Sequence, residues 1–462
     1  MSGLLCLVVL SGCRVHKPDR NVPPAVPAQD TYRERPDVFT TFPEEDWWRG
    51  FEDPNLNALV EEALQSNLQL LQLVARIEQA NALVRQAGGR LLPQLDGVGD
   101  YESRWTDLDD SAKRSREESS TVGGLLTWEI DVWGRLRSAQ RAQAMESDAA
   151  IHDFQGGRLL LSAIVAETYF EILEQRQQRT LITGQINANQ TLLDLTRLRF
   201  GQAQSSIVDV LQQQEQLDST LALVPDVEAR LQQLEYSMDV LLGRAPGSRE
   251  RIQEATLQLP PPMADVGVPS DLLEQRPDLR AARDRVVAVD YRVGEAIADR
   301  LPRFFIGGSL TAGGSPGLDT LAGSLLASAI GPIYDAGTRK AEVDRQRAVL
   351  RERVAEFSDT YLAAVRDVEV ALLREHSQKE LVTLLDNQLV TARRLLNETR
   401  NRYSQGLTDY LPVLAALTRS QNLERELLTR RRELLSFRVA LHRALGGPML
   451  TARDPAQQEA RR

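Results

Sequence analysis

The chain repeats itself, and the repeat limits what it can fold into. Adding 203 to each residue number carries Thr196-Arg197-Leu198-Arg199-Phe200-Gly201-Gln202 onto Thr399-Arg400-Asn401-Arg402-Tyr403-Ser404-Gln405. The register holds without a gap as far as Leu242-Gly243, which fall on Leu445-Gly446. Upstream, Gly134 meets Gly337 at the same offset, and Pro93 meets Pro302 at an offset of 209. Such a tandem duplication predicts two copies of one structural unit.

Proline placement says what that unit contains. Residues 94 to 224 hold no proline, and neither do residues 333 to 411. From Gly134 to Arg199 the only turn-prone residues are Gly156, Gly157 and Gly184, so a continuous helix on the order of 100 Å long fits there at 1.5 Å per residue. Each copy opens with a shorter helix, at 56 to 86 and at 272 to 298, and closes in Leu-Gly after an apolar-periodic run. In that run Leu217, Leu221, Val224, Val227, Leu231, Leu234, Met238 and Leu241 recur at steps of three and four, the spacing of a coiled-coil seam. The second copy keeps Leu427, Leu434, Phe437 and Leu441 on the stripe, with Arg430 in place of an apolar residue. All of these but Arg430 are expected in the core.

Between Pro93 and Gly134, and again between Pro302 and Gly337, the period becomes two. Val122, Gly124, Leu126, Trp128, Ile130 and Val132 alternate with Thr121, Gly123, Leu125, Thr127, Glu129 and Asp131, an apolar-out, polar-in strand. Its partner sets Asp96, Asp100 and Glu102 on one face and Leu95 and Tyr101 on the other, and the charged stretch 105 to 120 reads as a solvated loop. In the second copy Phe304, Ile306, Gly308 and Leu310 alternate with Phe305, Gly307, Ser309 and Thr311, followed by a weaker strand. Four strands leave two open edges, which hydrocarbon does not tolerate, so several chains must close one barrel.

The organisation expected is therefore a segment 1–12, an extended, proline-rich tether 13–53, and repeat 1 at 54–247 with strands near 94–103 and 120–132 and a long helical hairpin. A linker 248–270 follows, then repeat 2 at 271–447 with strands near 303–312 and 324–334 and a second hairpin, and a tail 448–462. The fold class is mainly α with a small membrane β part. Residues 4 to 10 are apolar and run into Leu10-Ser11-Gly12-Cys13, which resembles the lipobox of bacterial lipoprotein signals. That predicts export, with Cys13 acylated at the mature N-terminus.

Chemistry is not expected. The only cysteines are Cys6 and Cys13, so the body of the chain offers no thiolate site. His16, His152, His376 and His442 lie far apart and read as solvated, and no phosphate loop or nucleophile motif occurs. No enzyme activity, cofactor or metal follows, and a net charge of -10 disfavours nucleic acid.

Three runs carry a family resemblance: Trp47-Trp48-Arg49-Gly50-Phe51-Glu52-Asp53-Pro54-Asn55-Leu56, Trp128-Glu129-Ile130-Asp131-Val132-Trp133-Gly134-Arg135-Leu136-Arg137 and Arg276-Pro277-Asp278-Leu279-Arg280. They resemble the TolC-type outer-membrane factors, and with the lipobox they resemble the OprM/NodT lipoprotein branch. The resemblance spans about residues 43 to 447. It implies a homotrimer whose 12-stranded barrel sits in outer-membrane lipid and continues as an α-helical periplasmic tunnel. It also implies a periplasmic membrane-fusion adaptor and an inner-membrane pump, commonly of the resistance-nodulation-division type, that supplies the energy for passive exit of drugs, toxic compounds or metals. A duct for type I protein secretion and a pore-free coiled-coil scaffold are the alternatives.

By the same resemblance, the duplicated segments around Arg199, Phe200 and Gly201 and around Arg402, Tyr403 and Gly406 are the periplasmic tips, which gate the channel and receive the adaptor. Gly201 and Gly406 are expected to relax the two turns, and Ser205, Ser206 and Thr408 to cap the returning helices. Asp209 of one hairpin is expected to pair with Arg402 or Tyr403 of another. Related tips carry inward-facing aspartates where this chain has Pro412 and Ala415, which leaves Asp409 as the nearest carboxylate on that turn.

Overall fold

The computed structural model describes residues 15–26, 32–33, 46–107, 114–248, 256–260, 268–315 and 317–447. In chain order the main elements are α1 (Pro54–Ser66), α2 (Leu68–Gly89), β1 (Gln94–Asp107), β2 (Arg114–Ile130), α3 (Arg135–Gly201), α4 (Ile207–Leu221) and α5 (Val224–Leu241). The second half adds α6 (Leu272–Gln275), α7 (Pro277–Ala298), β3 (Arg303–Gly314), β4 (Thr320–Ile330), α8 (Thr338–Ser404) and α9 (Tyr410–Ala444). The duplication is visible in the lengths: α3 and α8 each run 67 residues, on the order of 100 Å. Cys13 and the tail 448–462 lie outside the described residues.

Both long helices start the same way. Gly134 and Gly337 take φ of 78° and 84°, a left-handed turn that frees the chain from its strand and that a side chain would strain. An aspartate then caps each start. Asp131 accepts from the amides of Leu136 (3.1 Å) and Arg137 (2.9 Å), and Asp335 from those of Gly337 (3.0 Å) and Arg339 (3.2 Å). Thus the Trp-Glu-Ile-Asp-Val-Trp-Gly-Arg run makes a strand-to-helix corner, with Arg135 gripping Glu129 at 2.8 and 2.9 Å.

The chain divides into two compact units. One contains residues 74–153 and 278–360 with the described segment 15–26. It holds a four-stranded antiparallel sheet in the order β1-β2-β3-β4, so β1 and β4 are both bare edges. The register assigns every side chain a face. Leu95, Leu126, Gly308 and Leu325 lie in one row, and Gly99, Val122, Ala312 and Leu321 in another. The opposite face carries Asp96, Asp100, Thr121, Thr127, Ser309, Ser324 and Ser328. One face is apolar across all four strands, and the other carries the polar residues with Leu125, Phe305, Leu326 and Ile330 among them. Leu95, Leu321 and Leu325 are 76%, 73% and 83% exposed, which only a non-aqueous neighbour makes acceptable.

The strands reach farther than expected. β1 and β2 pair from Gln94↔Thr127 to Asp107↔Arg114, so most of the charged stretch read as a loop is a continuation of the hairpin. Alternation had hidden this, because Arg104, Arg116, Glu117 and Glu118 are charged on both faces. β3 joins β2 only from Ser120 to Ile130, so residues 102–107 and 114–119 pair with each other alone. That two-stranded ribbon has both edges bare and belongs in water. Below it, the 12 residues of β3 and the 11 of β4 suit the roughly 9–11 of a tilted membrane strand. No helix among the described residues is long and apolar enough to cross a membrane.

The other unit comprises residues 28–73, 154–277 and 361–462. Its core gathers Trp47, Leu56, Tyr169, Ile172, Met238 and Val439. The Trp-Trp-x-x-Phe-x-Asp-Pro run belongs to this core. Trp47 donates to Ser162 Oγ at 3.0 Å, and Asp53 both caps α1 and accepts the Tyr169 hydroxyl at 2.6 Å. Leu217, Leu231, Leu234, Met238, Leu427, Leu434 and Leu441 are buried, but Leu221 is 45% exposed. The cause is Pro225, which cannot continue the backbone ladder: α4 stops at Leu221, α5 restarts at Val224, and the stripe turns off the seam. In repeat 2 no proline falls there and α9 runs unbroken for 35 residues.

The histidines also depart from the solvated expectation. His376 is exposed, but His16 Nε2 lies 2.7 Å from Asp290 Oδ1, His152 lies 3.3 Å from Asp284, and His442 is buried against Trp47 with ring centroids 5.3 Å apart. Burial, with the neighbouring Arg438 charge, pushes the His442 pKa down to about 3. Arg438 is itself buried and paired with Glu375 at 2.9 and 3.0 Å. Between pH 3 and the ordinary histidine value near 6.5, the unfolded chain binds a proton at His442 that the folded chain refuses. Stability therefore falls as pH drops through that window. The expected outcome is that His442→Gln flattens the acid-side loss of thermal midpoint between about pH 6.5 and 4; parallel pH profiles for both proteins would refute it.

Candidate functional site

The two hairpin turns lie together in the second unit, at the ends of α3 and α8. In repeat 1 the amides of Ala203 and Gln204 close back on the carbonyls of Phe200 and Arg199 at 2.9 Å each; in repeat 2 those of Gly406 and Leu407 close on Tyr403 (3.0 Å) and Arg402 (2.9 Å). These are the same helix-ending turn at an offset of 203. The left-handed residue in repeat 2 is Gly406, with φ 74°, as expected. In repeat 1 it is Ala203, with φ 57°, and not Gly201, which is the last residue of α3. Identity of residue type suggested Gly201; register decides for Ala203.

Capping is equally unequal. Ser206 caps α4, its Oγ accepting from the Val208 amide at 3.1 Å, while the Asp209 carboxylate accepts from the Ser206 amide at 3.2 Å. The corresponding positions are Asp409, which makes no side-chain cap, and Pro412. Ser205 instead donates to the Thr196 carbonyl at 3.3 Å.

The contact between the two turns is made by Arg199 and Tyr403. The Arg199 guanidinium sits 4.4 Å over the Tyr403 ring and donates to the Tyr403 carbonyl at 2.9 Å. Tyr403 is buried edge-on against Tyr410, centroids 5.5 Å apart, in a small core with Leu192, Leu396, Val413 and Leu417. Burial raises the Tyr403 phenol above its ordinary value; Arg199 opposes the rise and the Asp209 carboxylate adds to it. Arg402, in contrast, points into solvent and pairs with Glu398 at 2.8 Å. Within one chain, then, Asp209 faces Tyr403 electrostatically but holds its own turn, and it makes no pair with Arg402.

Behind the turns runs a network that periodicity could not reveal. Tyr410 donates to Gln213, Gln213 to the Asn189 carbonyl (2.8 Å), Asn189 to Thr220 (2.8 Å), Gln421 to Asn189 (2.9 Å) and Gln216 to Gln421 (3.0 Å). These buried amides tie α3, α4 and α9, and each one left unpaired would cost on the order of 1–3 kcal/mol. The only advance sign is the run Gln212-Gln213-Gln214-Glu215-Gln216, where amides occupy seam positions. On the outside, Leu198, Phe200, Ile207, Leu211, Leu407 and Leu411 are 45–71% exposed around the turns. No group of ligating side chains suited to a metal occurs among the described residues.

A two-faced antiparallel sheet with bare edges, joined to paired helices of 67 residues, defines an outer-membrane channel protein rather than an enzyme. The family model described as outer membrane efflux protein matches residues 59–244 and 268–447, and the chain belongs to that family. It is 28% identical over 418 residues to the pyoverdine export outer membrane protein OpmQ of Pseudomonas putida, covering 88% of each chain. It is 26% identical over 379 residues to nodulation protein T of Rhizobium leguminosarum bv. trifolii, covering 80% of each. The solved outer-membrane channel OprN superposes with a TM-score of 0.87 at 26% identity, covering 94% of this chain and 99% of that one. The protein is an outer-membrane efflux component.

The turns give a direct test of backbone strain. Gly406→Ala is expected to cost about 1 kcal/mol, whereas Ala203→Gly at the equivalent left-handed position is expected to be neutral or stabilising. Thermal midpoints of the solubilised variants check the opposite signs.

Proposed function

We propose that three copies assemble into a 12-stranded barrel, and that the closed assembly is a passive exit for small molecules. The observation that carries this is the sheet: apolar on one face, polar on the other, with β1 and β4 both bare. An even number of antiparallel strands lets β4 of one copy continue onto β1 of the next in antiparallel fashion, which removes every edge. Eight, twelve or sixteen strands are compatible with closure; family likeness supports twelve.

In this reading Cys13 carries the lipid anchor and the tips form the periplasmic gate. Arg199, Phe200, Gly201 and Asp209 from one turn and Arg402, Tyr403, Gly406 and Asp409 from the other shape the aperture. The exposed leucines around them offer an apolar surface to the adaptor, and a resistance-nodulation-division pump drives cargo from below. Arg199 stacked on Tyr403 holds the two turns of one chain together, while Asp209 and Arg402 would meet across the seam between copies by exchanging their partners within the chain, the Ser206 amide and Glu398. An exposed pair of that kind is worth about 1 kcal/mol or less, which suits a gate that has to open.

Two measurements test the proposal. The detergent-solubilised protein should have three times the 51.6 kDa mass of one chain and resist unheated SDS. In planar bilayers Arg199→Ala and Asp209→Asn should each raise single-channel conductance, and unchanged closed-state current in both would refute the tip gate.

A further inference from the structure

The corners where strands meet helices carry an excess of positive charge that the channel reading does not use. Segments 89–93, 131–137, 299–303 and 331–340 contain seven basic residues and three acidic ones, in a chain whose net charge is -10. Four of the seven are neutralised: Arg135 by Glu129, Arg137 by Asp131, Arg303 by Asp299, and Arg339 by Asp299 and Asp335. Arg90, Arg300 and Lys340 are exposed and have no ion-pair partner among the described residues. Glu295, its carboxyl pKa raised by burial, acts on Arg90 at longer range.

Two of these cations are tied to the apolar side of the sheet. Trp128 and Phe304 share that face with Leu126 and Leu325. Trp128 Nε1 donates to the Leu91 carbonyl at 2.9 Å, next to Arg90. Trp133 packs 6.5 Å from Phe304 and donates at 2.8 Å to the Pro302 carbonyl, two residues from Arg300. Ile333 and Tyr334, on the segment that leads from β4 to Lys340, are exposed at 104% and 89%, and Leu92 beside Arg90 at 64%. Arg90 and Arg300 thus lie within two residues of carbonyls held by tryptophans, and Lys340 follows an exposed apolar pair by six residues. This is the arrangement in which a side chain keeps its stem in hydrocarbon and its charge among headgroups.

We propose that Arg90, Arg300 and Lys340 bind the phosphates of anionic phospholipids in the leaflet that faces the helical end of the protein. The inference rests on the barrel reading. The paired arginines build the corners, and the three free cations face the lipid: a negative headgroup supplies the counter-charge that the protein withholds. A cation near an anionic surface is worth a factor of about five, so the three acting independently should give a preference on the order of a hundredfold.

The experiment uses the full chain in nanodiscs of phosphatidylcholine alone or mixed with phosphatidylglycerol, with retained lipids counted by native mass spectrometry. The wild-type protein should retain phosphatidylglycerol over phosphatidylcholine, and in the triple variant R90Q/R300Q/K340Q that preference should fall on the order of a hundredfold. Lys340→Gln alone, a single exposed change, should lose part of it. Arg345→Gln, which removes an exposed arginine paired with Glu342, should leave it intact. An undiminished preference in the triple variant, an equal loss in Arg345→Gln, or displacement of the lipid by millimolar inorganic phosphate would each overturn the proposal. Failure of the wild-type protein to form an SDS-resistant oligomer would instead overturn the barrel on which it rests.

Discussion

Backbone hydrogen bonding in a medium without water governs this structure. Each of the two outer strands presents a row of N–H and C=O groups that water would satisfy and hydrocarbon would not. Everything characteristic of the chain is compatible with that single demand. The apolar face is the side suited to lipid, the opposite face carries the polar residues, and β1 and β4 each leave one edge unpaired within the chain. The helices answer a different demand. Their ladders are complete within themselves, so they continue as far as their sequence lacks proline.

Much of this was legible from residue order, because two signals are long enough to be unambiguous. Proline-free intervals bounded by glycines at an offset of 203 became helices of equal length, opened by Gly134 and Gly337 in the same left-handed conformation. Alternation in three separate strands assigned faces that the register later aligned into one apolar and one polar surface. What stayed hidden were the identities of neighbours. Periodicity marks Leu221 as apolar and on the stripe, but Pro225 breaks the helix and turns it outward. A histidine on a charged helix reads as solvated, but His442 meets Trp47, which lies almost 400 residues earlier in the chain.

The tips show the same limit at finer scale. Duplication pointed to the right segments, and glycine content pointed to the right turn in one copy and the wrong residue in the other. The expected latch pairs Asp209 with Arg402 or Tyr403 of another hairpin; within one chain Tyr403 is buried under Arg199, Arg402 pairs with Glu398 and Asp209 caps its own helix. Short polar contacts depend on rotamers and on which element lies opposite, neither of which has a signature in linear spacing. The amide network of Asn189, Gln213 and Gln421 is the plainest case, since glutamine is ordinary on a helix surface and becomes specific only when two other helices cover it.

The unbroken length of α3 and α8 has a consequence for their ends. A helix of 67 residues satisfies its own backbone along its interior, so its unmet amides and carbonyls gather at two places only. Asp131 and Asp335 take up amides at the starts, and the turns at Ala203 and Gly406 take up carbonyls at the finishes.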